Sequence, residues 1–291
     1  VVASFALRPL SVGELLDAAF RLARHLLPVL ITLQLLSAAV PLMLGLYNAA
    51  NGTSALASLT LVNIVGVLVN IVFASLAAGA ASLVISEAYL GRTLSAAEAL
   101  QRAIPRVGPM LVASMVTGLV LVVCLLPFFA VVTFVAVSVG NGTQGVGPAR
   151  VLAILAGVAL LALPVYVLAG FTLQSICAVL EPELDGIGAA RRSWALTKGY
   201  RRRIFMVMLA LGAIFLAVAA GIGAAVAITG LTTGSVAANI VAVIIQAVTS
   251  AIVFPIIYSV LTLQYYDLRV RKEGFDLEML AAALPGAAVT P

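Results

Sequence analysis

Apolar positions in this chain come in long runs, separated by short stretches in which nearly all the charge is collected. Residues 26–86, 107–149, 151–180 and 204–266 contain no Asp, Glu, Lys or Arg. A membrane-crossing helix needs roughly 20 apolar residues. The runs therefore predict an all-α, polytopic transmembrane helical bundle of six spans, at about 26–49, 57–87, 108–139, 151–180, 204–229 and 237–264. Run 107–139 is long for one straight span. Two short crossings broken at Pro127 would put the basic 181–203 segment on the other side, so a single kinked or tilted span is preferred. The connections near Asn51-Gly52-Thr53-Ser54, 140–150 and Leu231 to Ser235 are short and rich in turn residues.

The intervening segments carry a second pattern. Leu15, Leu16, Ala19, Phe20 and Ala23 recur at helical spacing, while Glu14, Asp17, Arg21 and Arg24 take the opposite face. This predicts an interfacial helix over 11–24. Ser11 with Glu14, and Ser95 with Glu98, fit the capping box that satisfies free amides at a helix start. Further interfacial helices are expected at about 95–104 and 186–199. The chain then reads as three units of surface helix, span and return span. Residues 1–266 form one transmembrane domain and 267–291 a tail.

Composition and charge sharpen this. The chain has 291 residues, 63% hydrophobic and 9% charged, against about 25% charged in soluble domains. Of sixteen Lys and Arg, all but Arg150 lie in the N-terminal stretch, 87–106, 181–203 or the tail. With six spans these four segments share one side, and the positive-inside rule makes it cytoplasmic, with both termini there. The first apolar stretch starts near Leu26 behind Glu14 and Asp17, and reads as a retained span rather than a signal peptide.

Candidate chemistry is sparse. His25 is the single histidine, and Cys124 and Cys177 lie apart inside apolar runs, so no zinc-type ligand set is present and no cofactor is expected. Neither a G-x-S-x-G elbow nor a phosphate loop occurs. These features speak against an enzyme, and the absence of a basic soluble face speaks against nucleic acid as a partner. The interior polar residues Gln34, Asn63, Asn70, Gln174, Asn239 and Gln246 read either as lining a hydrophilic route or as interhelical packing contacts. Pro41, Pro127, Pro164 and Pro255 kink spans, and small residues at four-residue spacing (Ser75, Gly79; Ala217, Gly221, Ala225) let helices approach closely. The densest charge feature is Arg191, Arg192, Lys198, Arg201, Arg202 and Arg203 with the interfacial Trp194. It serves as a topology anchor and as a candidate contact for anionic lipid head groups or a partner protein, at roughly 1 kcal/mol per basic residue. The acidic Glu181, Glu183 and Asp185 just before it read as a turn with local ion pairing.

The stretch from Arg8-Pro9-Leu10-Ser11 to Phe20-Arg21 resembles the opening of bacterial proteins similar to the membrane domain of glycerophosphoryl diester phosphodiesterases. So do Ala190-Arg191-Arg192-Ser193-Trp194-Ala195-Leu196-Thr197-Lys198-Gly199 and the ending Tyr265-Tyr266-Asp267-Leu268-Arg269. The resemblance implies a stand-alone bacterial membrane module without the catalytic part, since that part uses several histidines. The expectation is a non-enzymatic inner-membrane scaffold or accessory subunit that binds lipids and partner subunits through its cytoplasmic face, with self-association open. The alternative is a permease component coupled to a separate ATPase.

Overall fold

The computed structural model describes residues 9–51, 60–140, 148–228 and 236–283. Among these there are helices and no strands. The helices are α1 (Val12–Asn51), α2 (Leu61–Tyr89), α3 (Ala96–Ala103), α4 (Val107–Gly140), α5 (Pro148–Leu160), α6 (Ala162–Phe171), α7 (Gln174–Leu180), α8 (Gly186–Thr197), α9 (Arg201–Ile228), α10 (Val236–Glu273) and α11 (Phe275–Ala283). Five helical segments are long and apolar enough to cross a membrane: Val12–Asn51, Leu61–Tyr89, Ala96–Val137, Val151–Leu180 and Ile240–Glu273. The chain is thus a helical protein with the makings of a multi-pass membrane protein. Arg8, the three interspan connections at 52–59, 141–147 and 229–235, and the end of the tail lie outside the described residues.

Buried side chains gather at one end of the bundle, the end where the charged segments meet. Leu15, Ala19, Ile85, Ala99, Met110, Cys177, Ala189, Ile204 and Tyr265 all belong to one buried cluster. Away from it the helices expose their apolar surface. Leu61, Leu68 and Ile71 of α2, and Met115, Leu119 and Leu126 of α4, are exposed, as lipid-facing side chains are. The principal packing axis is α1 against α10 and α2.

Three boundaries differ from the sequence expectation. The 11–24 segment is not a separate helix, because α1 runs unbroken from Val12 to Asn51 with Pro28 and Pro41 inside it. Its start is nonetheless capped as expected: Ser11 N–H donates to Glu14 Oε2 at 2.8 Å, and Glu14 N–H donates to Ser11 Oγ at 3.3 Å. The 151–180 run is interrupted at Leu161 and again at Thr172–Leu173. Pro164 cannot donate to the carbonyl of Leu160, which accounts for the first break. At the second, Leu173 N–H donates to Ser193 Oγ (3.2 Å), and Ser193 Oγ and Thr197 Oγ1 donate to Gly170 O (2.9 and 3.1 Å). Hydroxyls of α8 thus satisfy backbone groups the break releases. Finally, residues 267–273 are no free tail: α10 continues through them to Glu273, and Gly274, in a left-handed conformation (φ 65°), turns the chain into α11.

The small-residue spacings divide. At Gly79 an added Cβ would lie 3.0 Å from Met110 Sδ and 3.2 Å from Val179, so α2 meets α4 and α7 closely there. At Gly221 nothing lies within 4 Å.

Candidate functional site

Most of the charge at the packed end is spent internally. Asp267 on α10, with its side chain 1% exposed, pairs with Arg203 and with Arg271 (2.9 Å). It also accepts the Leu10 N–H at 2.8 Å, while Arg203 and Arg271 donate to Leu10 O at 2.5 and 2.7 Å. This knot ties the start of the described chain to the foot of α9 and the end of α10. A second knot centres on Arg192 of α8, which pairs with Glu181 (2.9 Å) and Glu273 (2.6 Å). Tyr265 OH donates to Glu181 Oε1 at 2.8 Å. Burial disfavours the charge of Arg192, but the hydrogen bonds to Glu273 and Glu181 outweigh this and hold the guanidinium above its ordinary range. A third guanidinium, Arg106, donates to the carbonyls of Ala178 (2.8 Å), Pro182 (3.0 Å), Glu181 (3.4 Å) and Leu184 (2.6 Å), closing the end of α7. Of the acidic triplet, Glu181 is ion-paired, and Asp185 caps α8 by accepting Gly188 N–H at 2.6 Å.

The structure therefore sorts the seven basic-cluster residues singled out from the sequence. Arg192 and Arg203 serve the internal knots. Arg191 and Lys198 are exposed and make no ion pair among the described residues. Arg201, Arg202 and Trp194 come together at the mouth of a cleft. The Arg201 guanidinium lies against two rings that meet edge to face, its Cζ 3.6 Å from the Trp194 ring centre and 4.1 Å from that of Tyr166, with the ring planes 89° apart. Phe171 backs the indole, with ring centres 5.1 Å apart. Gly170 makes room for it, because a Cβ there would stand 2.4 Å from the Trp194 ring.

Arg201 is 8% exposed, its Nε has no hydrogen-bond partner, and no carboxylate pairs with it among the described residues. Cation–π contacts contribute about 0.5–2 kcal/mol each, less than the several kcal/mol that taking a cation out of water costs. The two rings supply no counter-charge, and the planar guanidinium fork matches a phosphate or carboxylate with two parallel hydrogen bonds.

Behind this mouth α6 and α9 touch but leave space between them. A cavity of about 520 Å³ is lined by Leu161, Tyr166, Ala169, Phe205 and the two arginines. It shares Val165, Ala169 and Phe205 with an apolar cleft of about 770 Å³ between α6 and α9, walled by Leu168, Met208 and Leu216 among others. Its lining also holds Thr117, whose Oγ1 donates to Gln174 Oε1.

The sequence reading did not single out Tyr166, Gly170, Phe171 or Phe205, which lie within apolar runs like any other span residues. The five-residue step from Tyr166 to Phe171, just before the break that brings α8 underneath, was the available signal. No group of three or more His, Cys, Asp or Glu that could hold a metal occurs among the described residues.

A family model matches residues 47–284, four-fifths of the chain. The protein belongs to the family of the domain of unknown function DUF8558. The DUF8558 match takes in the cleft, α8 and the Arg192 knot, together with the α9 and α10 sides of the Asp267 knot. No curated protein and no solved structure matches the chain. Nothing links this DUF8558 member to the phosphodiesterase membrane modules that its motifs resemble.

Proposed function

We propose that this protein is a non-enzymatic integral membrane protein that holds an anionic phospholipid in the cleft between α6 and α9, its head group on Arg201 and Arg202 and its chains on the apolar wall. The observation that supports this most is Arg201 itself. It is a buried, ring-stacked cation without a carboxylate partner, at the opening of an apolar cleft. In this reading α9 is a sixth span. Its Phe205, Met206, Leu209 and Leu216 are exposed, and residues 204–228 carry no charge. The packed, charged end then faces the cytoplasm of a bacterial inner membrane, by the excess of Lys and Arg there. The amphipathic first turns of α1, with α3 and α8, lie in the interface. Lipid capture suits an accessory or scaffold subunit, and exposed Arg191 on α8 and Lys198 just after it offer partner subunits a docking face beside the lipid.

Trp194 is the single tryptophan and touches Arg201, so it reports on the site directly. The test is quenching of Trp194 by brominated phospholipid in nanodiscs. Brominated anionic lipid should quench more strongly than brominated zwitterionic lipid at equal mole fraction. Each of Arg201→Gln and Arg202→Gln should reduce that preference about fivefold, the equivalent of ~1 kcal/mol per basic residue. Equal quenching by both lipids in the unaltered protein would remove the proposal.

A further inference from the structure

The interior polar residues divide into two kinds. Asn63 exchanges hydrogen bonds with Asn48 (2.9 and 3.2 Å), and Gln174 pairs with Thr117. These are packing contacts between helices. Gln34, Asn70 and Gln246 instead converge, from α1, α2 and α10, on one cavity of about 280 Å³. Ser37 and Ser250 line it as well. Gln34 is 4% exposed and its Oε1 has no hydrogen-bond partner. Asn70 Oδ1 is likewise buried and unpartnered.

We infer that this cavity is a binding site for a small uncharged polyol. An amide oxygen buried without a donor costs about 1–3 kcal/mol, and here two such oxygens line one space. Hydroxyl donors would satisfy them. The amide NH₂ groups of Gln34, Asn70 and Gln246 offer donors in return, so a molecule that both donates and accepts fits the lining. No Asp, Glu, Lys, Arg or His lines the cavity among the described residues. An ion there would lack a counter-charge, at a cost of several kcal/mol, which argues for a neutral ligand. The cavity of about 280 Å³ is many times the ~10–15 Å³ that a single water needs, which gives room for a small polyol. The wall is firm at its Gly45 side. A Cβ at Gly45 would lie 2.8 Å from the Val243 side chain, so α1 and α10 are in contact there. Gln246 is exposed and marks the opening. This site is separate from the α6–α9 cleft and does not depend on lipid binding there.

The test uses the full chain in nanodiscs, with tritiated glycerol, erythritol and ribitol as probes in a scintillation proximity assay. Saturable retention of at least one polyol is expected. Gln34→Leu and Asn70→Leu should each weaken it about tenfold or more, and Arg201→Gln should leave it unchanged. Gln246→Leu, at the exposed opening, serves where a buried substitution prevents folding, and it too should weaken retention. Two results would overturn the inference. One is no saturable retention of any of the three polyols, which would make the cavity a hydrated packing defect. The other is retention that rises without saturating and is equal in all variants, the mark of a general osmolyte effect.

Discussion

Asp267→Asn tests whether the packed end is held by the buried carboxylate. The substitution keeps the shape and leaves an oxygen that can still accept the Leu10 N–H, so it isolates the charge. Removing one member of a buried ion pair costs about 3–5 kcal/mol, because the partner charge is left uncompensated. The carboxylate is 1% exposed, but Arg203 and Arg271 are 17% and 25% exposed, so water recovers part of the loss. The expected cost is therefore near the lower bound, about 3 kcal/mol or ~150-fold in the folding equilibrium. Titration with sodium dodecyl sulfate in mixed micelles, followed by Trp194 fluorescence, would measure it. Arg203→Gln should also destabilise, and the double variant should lose less than the sum, since a removed cation no longer needs its partner. An Asp267→Asn protein within ~0.5 kcal/mol of the unaltered one, or strict additivity in the double variant, would refute the reasoning.

Arg106→Gln removes the donor to four carbonyls and should cost about 3 kcal/mol, seen as faster amide exchange across 174–184. Gly170→Ala should displace the indole of Trp194, because its Cβ would meet the ring at 2.4 Å. The readout is a shifted Trp194 emission together with loss of anionic-lipid preference. Ser95→Ala breaks the α3 capping box, in which Ser95 Oγ accepts Glu98 N–H at 3.3 Å. It should destabilise by about 1 kcal/mol in the same detergent titration.

What could be read from the sequence was set by range. The capping boxes at Ser11 and Ser95 are three-residue relations, and the structure forms both. The long apolar segments were legible because a span is a local property of composition. The continuity of α1 through Pro28 and the break at Thr172–Leu173 were not. The break depends on Ser193, twenty residues onward, to satisfy what it exposes. The basic cluster was found as a cluster but not resolved into roles. Arg203 finds Asp267 at a separation of 64 residues, and Arg192 finds Glu273 at 81. Like Asp17–Arg21, the i,i+4 pairs Asp267–Arg271 and Arg269–Glu273 lay within reach of helical spacing. Reading 267–273 as a tail passed over them. The interior amides were seen one by one, and only the packing of α1 against α2 and α10 tells Gln34 and Asn70 from the paired Asn63.

Arg201, Arg202 and Arg203 look interchangeable in sequence, but they open α9, and successive residues on a helix point about 100° apart. The first turns onto the Trp194 and Tyr166 rings, the second to the exposed rim, and the third into the Asp267 knot. One charge run thus divides into a buried site cation, a surface cation and a structural cation. Separate effects are expected from single Gln substitutions. Arg203→Gln should lower stability, with anionic-lipid preference intact in the protein that remains folded. Arg202→Gln should weaken lipid preference with stability unchanged. Arg201→Gln should also weaken it without loss of stability, since it removes a buried cation that has no carboxylate to abandon. Quenching of Trp194 and the detergent titration, run on the three variants side by side, separate these outcomes. Equal effects of all three on both readouts would mean that the run acts only as a diffuse positive charge, and the division of roles drawn from the helix geometry would fall.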